Sequence, residues 1–382
     1  MANTLKFGNG QWATKVGSTL AYNDEGGNFK PLPFNFTRST GGTRVNKDGL
    51  IEVVTNNKPR IDFLNDSNGA LLLEPQRTNL ALSSEEINNT GFWQLTNSGT
   101  ITANSTISPD GYQNADTLNA GAAFSQVQGT ILGTSGVVYT VSIWVKRITG
   151  TGNVFLRAVE NTNTLIAVTS DWQRFTATVT STTTTIRIGI NLATSGDAVA
   201  VWGGQIEAGS YATSYIPTQG ATATRVGEVC TGAGNDQVIN STEGVLYLEI
   251  SGFENDLSDR YISISDGTLN NAIKIFYYQD GGTTFFRKNV NGAQTTIVTT
   301  SAINKSELTK IAVKYNSTNF DIFSNGFKIS ANLNSNSFPI GTLNEINFSN
   351  ADGLSQPFYG KTKDLRVYNT ALTDAELIAL TT

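Results

Sequence analysis

Between residues 137 and 146 the side chains alternate strictly, with Tyr139, Val141, Ile143 and Val145 separated by Thr140, Ser142, Trp144 and Lys146. Successive side chains of an extended strand point to opposite faces, so a period of two gives one apolar wall and one polar wall. The pattern recurs at 174–180, where Phe175, Ala177 and Val179 share a side, and at 185–192, where Ile186, Ile188, Ile190 and Leu192 do. Strands of this kind cannot bury their apolar side alone. Short alternating runs separated by Gly and Asn turns predict an all-β chain of antiparallel sandwiches or jelly rolls.

Composition removes most chemistry. The 382 residues contain no histidine, which excludes Ser-His-Asp and Cys-His catalysis, His-ligated zinc and His-based pH switching. The single cysteine, Cys230, can form neither an internal disulfide nor a CxxC knuckle and is expected to be a small buried hydrophobe. Charged residues make up 15% of the chain, with Thr, Ser, Asn and Gly in their place, and the net charge is −5 without a Lys/Arg cluster. Nucleic acid is therefore not an expected partner. No apolar run reaches the roughly 18 residues of a membrane span, so membrane insertion is not expected. The N-terminus shows no basic stretch followed by an apolar one, so no signal peptide is expected either.

The length predicts two or three domains. Residues 1–80 read as a turn-rich lead-in, with a hairpin loop at 23–28, an extended Pro31-Leu-Pro33 and a turn at 46–49. Residues 81–217 carry the alternating strands above and read as a jelly-roll module. Residues 218–382 carry a second strand set, including 244–250, 272–278 and 310–315, and a tight Ser324-Asn-Gly326 turn. Residues 223–226 (Ala-Thr-Arg-Val) echo 42–45 (Gly-Thr-Arg-Val) and read as a second connector strand. One short C-terminal helix is predicted from the capping box Thr373-Asp-Ala-Glu376, with Leu377 and Leu380 plugging one end of a sandwich.

Several stretches carry a family resemblance. Gly69-Ala-Leu-Leu-Leu-Glu-Pro-Gln-Arg-Thr-Asn-Leu80 is similar to a signature of bacteriophage structural proteins, and residues 1–12 and 36–51 resemble the openings of such fibre and virion-decorating proteins. Residues 364–380 are similar to the closing segment of concanavalin-A-like (laminin-G-like) domains, and 171–176 with 202–209 resemble galactose-binding jelly-roll modules. The resemblance implies a virion structural protein of the fibre, tail or head-decoration kind, displaying lectin-like modules that adhere to host-surface glycans. It also implies a homo-oligomer such as a trimer, contacts with other virion proteins through the N-terminal region, synthesis in the host cytoplasm and a place on the virion surface. Two alternatives stand beside adhesion: an architectural protein whose sandwich faces are subunit interfaces, and a polysaccharide depolymerase.

The matching motifs look structural, so the candidate site residues come from strand pattern alone. Trp144 sits on the polar side of its strand, where a sugar-stacking ring would be placed. Arg187 and Asn191 share the polar side of theirs, and Arg157 that of 155–159, with Gln205 and Glu207 as further candidates. Trp12, Trp93, Trp172 and Trp202 are expected in cores or interfaces. No cofactor is expected. Calcium is the metal such folds take through loop carboxylates, and Glu254, Asp256 and Asp259 are the local set, but the loop lacks the Gly and terminal Glu of an EF-hand and reads as a solvated acidic loop. Catalysis is not expected, since neither a recognisable carboxylate pair for glycoside hydrolysis nor a β-helix repeat is present.

Overall fold

The computed structural model describes residues 4–8, 12–15, 18–20, 22–23, 32–160, 162–253, 257–280, 282–301, 303–333 and 336–382. The described residues form antiparallel ladders throughout, arranged as sandwich-like sheets, with one helix at Asp374–Thr381. The all-β expectation holds. The hairpin loop expected at 23–28 lies outside the described residues from 24 onward, as does Pro31.

Two compact units are formed, neither contiguous in sequence: residues 1–41, 54–75 and 227–382 make one, and 42–53 with 76–226 make the other. This division cuts the chain differently from blocks at 1–80, 81–217 and 218–382. Periodicity marks a strand without marking its partner. Thr4–Gly8 and Ala70–Leu73, both from the lead-in, hydrogen-bond to Gly360–Tyr368 near the other end of the chain.

In the first unit a nine-stranded sheet contains Gly244–Gly252 between Thr309–Tyr315 and Gly360–Tyr368, and a five-stranded sheet contains Ala272–Tyr277 and Thr284–Val290. Their apolar faces meet in one core, to which the lead-in contributes Phe7, Phe34, Phe36, Ile61, Leu71 and Leu73. The Ser324-Asn-Gly326 turn forms as read, with Asn325 and Gly326 both at positive φ (47° and 82°), which the tight hairpin requires. The capping box at Thr373 and Glu376 also forms. The helix does not plug a sandwich end. Leu377 packs on Val245, Tyr247, Ala312 and Phe323, the side of the sheet opposite to Leu246 and Leu248.

A buried charge cluster holds this unit's connecting segments. Glu228 accepts from Arg38 Nη1 at 2.6 Å, from Arg60 Nε and Nη2 at 2.8 and 2.6 Å, and from the Glu74 backbone amide at 2.8 Å. Arg60 Nη2 also lies 2.9 Å from Glu74. Burial works against the Arg60 charge, and the Glu228 and Glu74 carboxylates outweigh it, holding the guanidinium above its ordinary range. Here the Leu-Leu-Leu-Glu-Pro run acquires its physical sense: Leu71 and Leu73 enter the core while Glu74 neutralises a buried arginine.

The second unit is a sandwich of two five-stranded sheets. One runs Trp93–Thr96, Ser125–Leu132, Thr185–Leu192, Val154–Ala158, Thr162–Ile166; the other runs Gly99–Thr106, Ala115–Ala120, Ala198–Ala208, Val138–Thr149, Gln173–Thr180. Tyr139, Val141, Ile143, Val145, Ile186, Ile188, Ile190 and Leu192 are all buried between them, as the alternation requires, with Phe175, Ala177 and Val179 packed at the margin. Asn79 of the Arg-Thr-Asn run serves this unit. Its Nδ2 donates to the Gly204 and Ile216 carbonyls, and its Oδ1 accepts from the Ala81 and Ile206 amides. The two echo strands are both short connectors, Gly42–Val45 beside Ile51–Val54 and Ala223–Arg225 paired with Arg77–Asn79.

Removing one partner of a buried ion cluster leaves an uncompensated charge. Glu228→Gln is expected to cost about 3–5 kcal/mol in urea unfolding, whereas Glu52→Gln, at the partly exposed Arg44 pair, is expected to cost under about 1 kcal/mol. Lys288 is wholly buried, and burial pushes its ammonium group down to about 8. Its folded value lies below the unfolded one, so its charge weakens the fold at neutral pH. That penalty is relieved as pH rises from about 8 towards the unfolded value near 10.4. Lys288→Met is therefore expected to be more stable than the parent at pH 7, with the difference shrinking by pH 10 in paired thermal melts.

Candidate functional site

Burying Ile186, Ile188, Ile190 and Leu192 turns Arg187, Gly189 and Asn191 to the outer side of their sheet. Register then decides what stands beside them. In one row across the sheet, Gln94, Gln128, Gly189, Arg157 and Asn163 are successive cross-strand neighbours. In the adjacent row come Thr96, Gln126, Asn191, Phe155 and Leu165. The two rows give amides and a guanidinium at the centre and two apolar side chains on one flank. Within this unit the elements packed against these strands are those of the facing sheet, on the core side.

Gly189, at the centre, is itself buried. A Cβ there would lie 2.3 Å from the Val127 carbonyl oxygen, so no larger residue fits without moving backbone. Beside it, Arg157 Nη1 donates to Gln126 Oε1 at 2.6 Å, and Arg187 Nη1 donates to the Glu160 carbonyl at 2.7 Å. Burial and the neighbouring Arg187 charge both push the Arg157 guanidinium below its ordinary range. The Glu160 carboxylate at the edge is committed elsewhere. It accepts from the Thr182 hydroxyl at 2.7 Å and from the Thr182 and Thr183 amides at 2.5 and 2.9 Å, which hold it below the usual carboxylate range. Two amide oxygens, Gln128 Oε1 and Asn191 Oδ1, are buried with no hydrogen-bond partner. A buried polar atom left without a partner costs free energy.

Three of the residues picked out from sequence therefore converge: Arg157, Arg187 and Asn191. Trp144 and Gln205 lie on the other sheet. Trp144 is wedged edge-on against Trp202 (ring centroids 5.4 Å apart) and Tyr215 (5.5 Å), with the Arg174 guanidinium 4.4 Å from its ring centre. Gln205 is wholly buried and accepts from the Ile216 amide at 2.7 Å, and Glu207 is likewise buried and accepts from the Thr213 amide at 3.0 Å. Trp93 and Trp202 are core residues, while Trp12 and Trp172 are half-buried. Gln126 and Gln128 were missed by the sequence reading, although 125–129 (Ser-Gln-Val-Gln-Gly) does alternate around Val127. The run is short, with one strong hydrophobe. Of the acidic loop, Glu254 and Asp256 lie outside the described residues; Asp259 accepts from the Gln279 amide at 3.0 Å. Among the described residues no group of three or more Cys, Asp or Glu is placed to hold a metal ion.

The first unit carries a mostly buried aromatic stack. Tyr261, Phe276 and Phe285 stack in register across three strands, with centroid separations of 4.2 and 4.8 Å, and the Arg287 guanidinium lies 5.2 Å from the Phe276 ring.

Residues 253–378 match the family model of the concanavalin A-like lectin/glucanases superfamily. The matched residues all lie in the first unit. Among solved structures, the chain is similar to the CBM40 of a Ruminococcus gnavus IT-sialidase bound to α2,3 sialyllactose, with 19% identity, a TM-score of 0.32, and 37% of this chain and 82% of that one covered. It is also similar to domain 4 of a GH43 extracellular arabinanase from Geobacillus stearothermophilus in complex with arabinotriose, with 15% identity, a TM-score of 0.33, and coverage of 45% and 83%. A third similarity is to the enzymatically active domain of tailspike protein 4 of bacteriophage CBA120, with 15% identity, a TM-score of 0.27, and coverage of 33% and 21%. No curated protein sequence matches the chain.

Trp144→Ala removes a ring from a packed aromatic cluster and is expected to destabilise the second unit by at least about 2 kcal/mol. Asn163→Ala, at an exposed position on the outer face, is expected to change stability by less than about 0.5 kcal/mol in the same urea titration.

Proposed function

We propose that the outer face built around Gly189 binds glycan, and that the chain works by adhesion without cutting the bound sugar. The observation that carries this reading is the convergence of Arg157, Arg187, Gln126, Gln128 and Asn191 around Gly189, which has no side chain of its own. Planar guanidinium and amide groups meet vicinal hydroxyls with paired hydrogen bonds, and Phe155 and Leu165 offer an apolar flank to the hydrophobic side of a sugar ring. Glycoside hydrolysis needs two carboxylates flanking the scissile bond. The two rows contain none, and Glu160 Oε1 at the edge accepts from Thr182 and Thr183.

The setting that fits the sequence resemblance is a bacteriophage particle, with the chain on the virion surface and other virion proteins held by its N-terminal region. Display in several copies, a trimer being the expected assembly, raises weak single-site binding to useful avidity. The concanavalin A-like match over residues 253–378 supports a second lectin-like module on the same chain.

A glycan array probed with the chain displayed on multivalent beads tests the proposal. Binding to a subset of bacterial-surface glycans is expected, with Arg157→Ala and Asn191→Ala each weakening it by about tenfold or more, the loss expected for one or two hydrogen bonds to a charged or buried group. Absence of binding in this format, or full binding by both variants, contradicts the assignment. Burial of the same face between subunits of a purified oligomer would favour the architectural alternative.

A further inference from the structure

In the five-stranded sheet of the first unit, Ile273 and Ile275 enter the core, so Lys274 and Phe276 stand on the other side. Register sets two rows there. Asn347, Ser263, Lys274, Arg287 and Ile297 are successive cross-strand neighbours in one, and Tyr261, Phe276, Phe285 and Thr299 in the next. One flank of this face is open: Ile297 and Thr299 are exposed, and Phe285 and Arg287 are half-buried. The other flank is covered by the 349–357 loop, where the Ser349 and Ala351 carbonyls accept from the Ser263 and Ser265 hydroxyls at 3.0 and 2.9 Å. Lys274 stands where the two flanks meet.

Lys274 is 4% exposed, yet among the described residues its ammonium group has no hydrogen-bond acceptor and no carboxylate at ion-pair distance, and it is not sealed from solvent. Arg287, its cross-strand neighbour, also makes no hydrogen bond or ion pair. The Arg287 guanidinium lies 5.2 Å from the Phe276 ring centre; its Nε is sealed, while its two terminal nitrogens are not. Burial pushes the Lys274 ammonium below its ordinary range, the Arg287 charge adds to the fall, and Asp352 opposes it. That carboxylate is held in its own turn, accepting from the Leu354 and Ser355 amides at 3.0 Å each and from the Ser355 hydroxyl at 2.9 Å. Asp259, beyond Tyr261, accepts from the Gln279 amide at 3.0 Å and from Gln356 Nε2 at 3.3 Å. Two like charges are thus neighbours on a half-covered face with no anion bonded to either, an arrangement that costs free energy unless a counter-charge arrives.

We infer that Lys274 and Arg287 form an anion site that takes the carboxylate of an acidic sugar residue of the hexuronate kind, with Phe285 beside the sugar ring. A planar carboxylate matches the guanidinium fork and leaves an oxygen for the ammonium. The half-buried Phe285 ring gives the sugar carbons an apolar neighbour. A neutral sugar would leave both cations unmet, and a bare phosphate would leave Phe285 unused. The site lies in the other unit from the Gly189 face and does not rest on that reading.

Isothermal titration of the whole chain at low ionic strength tests it. The probes are the methyl glycosides of glucuronic and galacturonic acid, their neutral parents methyl glucoside and methyl galactoside, and inorganic phosphate. At least one uronide is expected to bind saturably, with its neutral parent and phosphate each weaker by about tenfold or more, the loss expected for a missing charged hydrogen bond or apolar contact. Lys274→Met and Arg287→Gln should each weaken the uronide by a similar factor, and Arg157→Ala should leave its affinity unchanged. Thermal melts report whether the variants fold, and Arg287→Gln, at the half-buried position, keeps the test open if Lys274→Met does not. Failure of both uronides to bind, equal binding of the neutral parent or of phosphate, unchanged affinity in a folded Lys274→Met or Arg287→Gln, or an equal loss in Arg157→Ala overturns the inference. Loss of glycan-array binding in Arg157→Ala with the uronide affinity intact would bear on the Gly189 face alone and supports two separate sites.

Discussion

Ile186, Ile188, Ile190 and Leu192 are buried against the facing sheet of the second unit, and the pleat then obliges Arg187, Gly189 and Asn191 to lie on the other side. The candidate site follows from that division. Because the apolar wall fixes register, Gln126 must stand opposite Asn191, and Arg157 opposite Gly189. A slip of one residue in this strand would send four large hydrophobes to the outer face and Arg187 and Asn191 into the core. The stability of the sandwich and the composition of its outer surface are thus one constraint seen from two sides.

The first unit solves a different problem. Its strands come from distant parts of the sequence, and the segments that join them carry buried charge at Arg38, Arg60, Glu74 and Glu228. Such a cluster contributes little net stability compared with apolar packing, but it tolerates no missing member. The chain passes between the two units at 41/42, 53/54, 75/76 and 226/227. The Leu-Leu-Leu-Glu-Pro-Gln-Arg-Thr-Asn run spans one of these passages, which accounts for its abrupt change from apolar to polar.

Much of this was legible beforehand. The alternating stretches at 137–146 and 185–192 gave the strands, their buried sides and the sandwich class, since one local period determines all three. The turn at 324–326 and the capping box at 373–376 were equally local. Strand partners were not, because hydrogen-bonding between Thr4–Gly8 and Gly360–Tyr368 leaves no mark in either segment. For the same reason Trp144 could be placed on the polar side of its strand but not against Trp202 and Tyr215, while Arg157, Arg187 and Asn191 could be named but not assembled. Cys230, read as a small buried hydrophobe, is buried in the core of the first unit, and burial pushes its thiol well up.

The central claim is that the face around Gly189 recognises sugar and leaves it whole. An amide NMR titration of the deuterated chain with a pooled bacterial-surface oligosaccharide fraction tests both halves at once. The account predicts saturable shifts concentrated at residues 126–128, 155–157 and 187–191, with the sugar recovered uncleaved. Shifts confined to other strands, or the appearance of newly formed reducing ends during the titration, would contradict it.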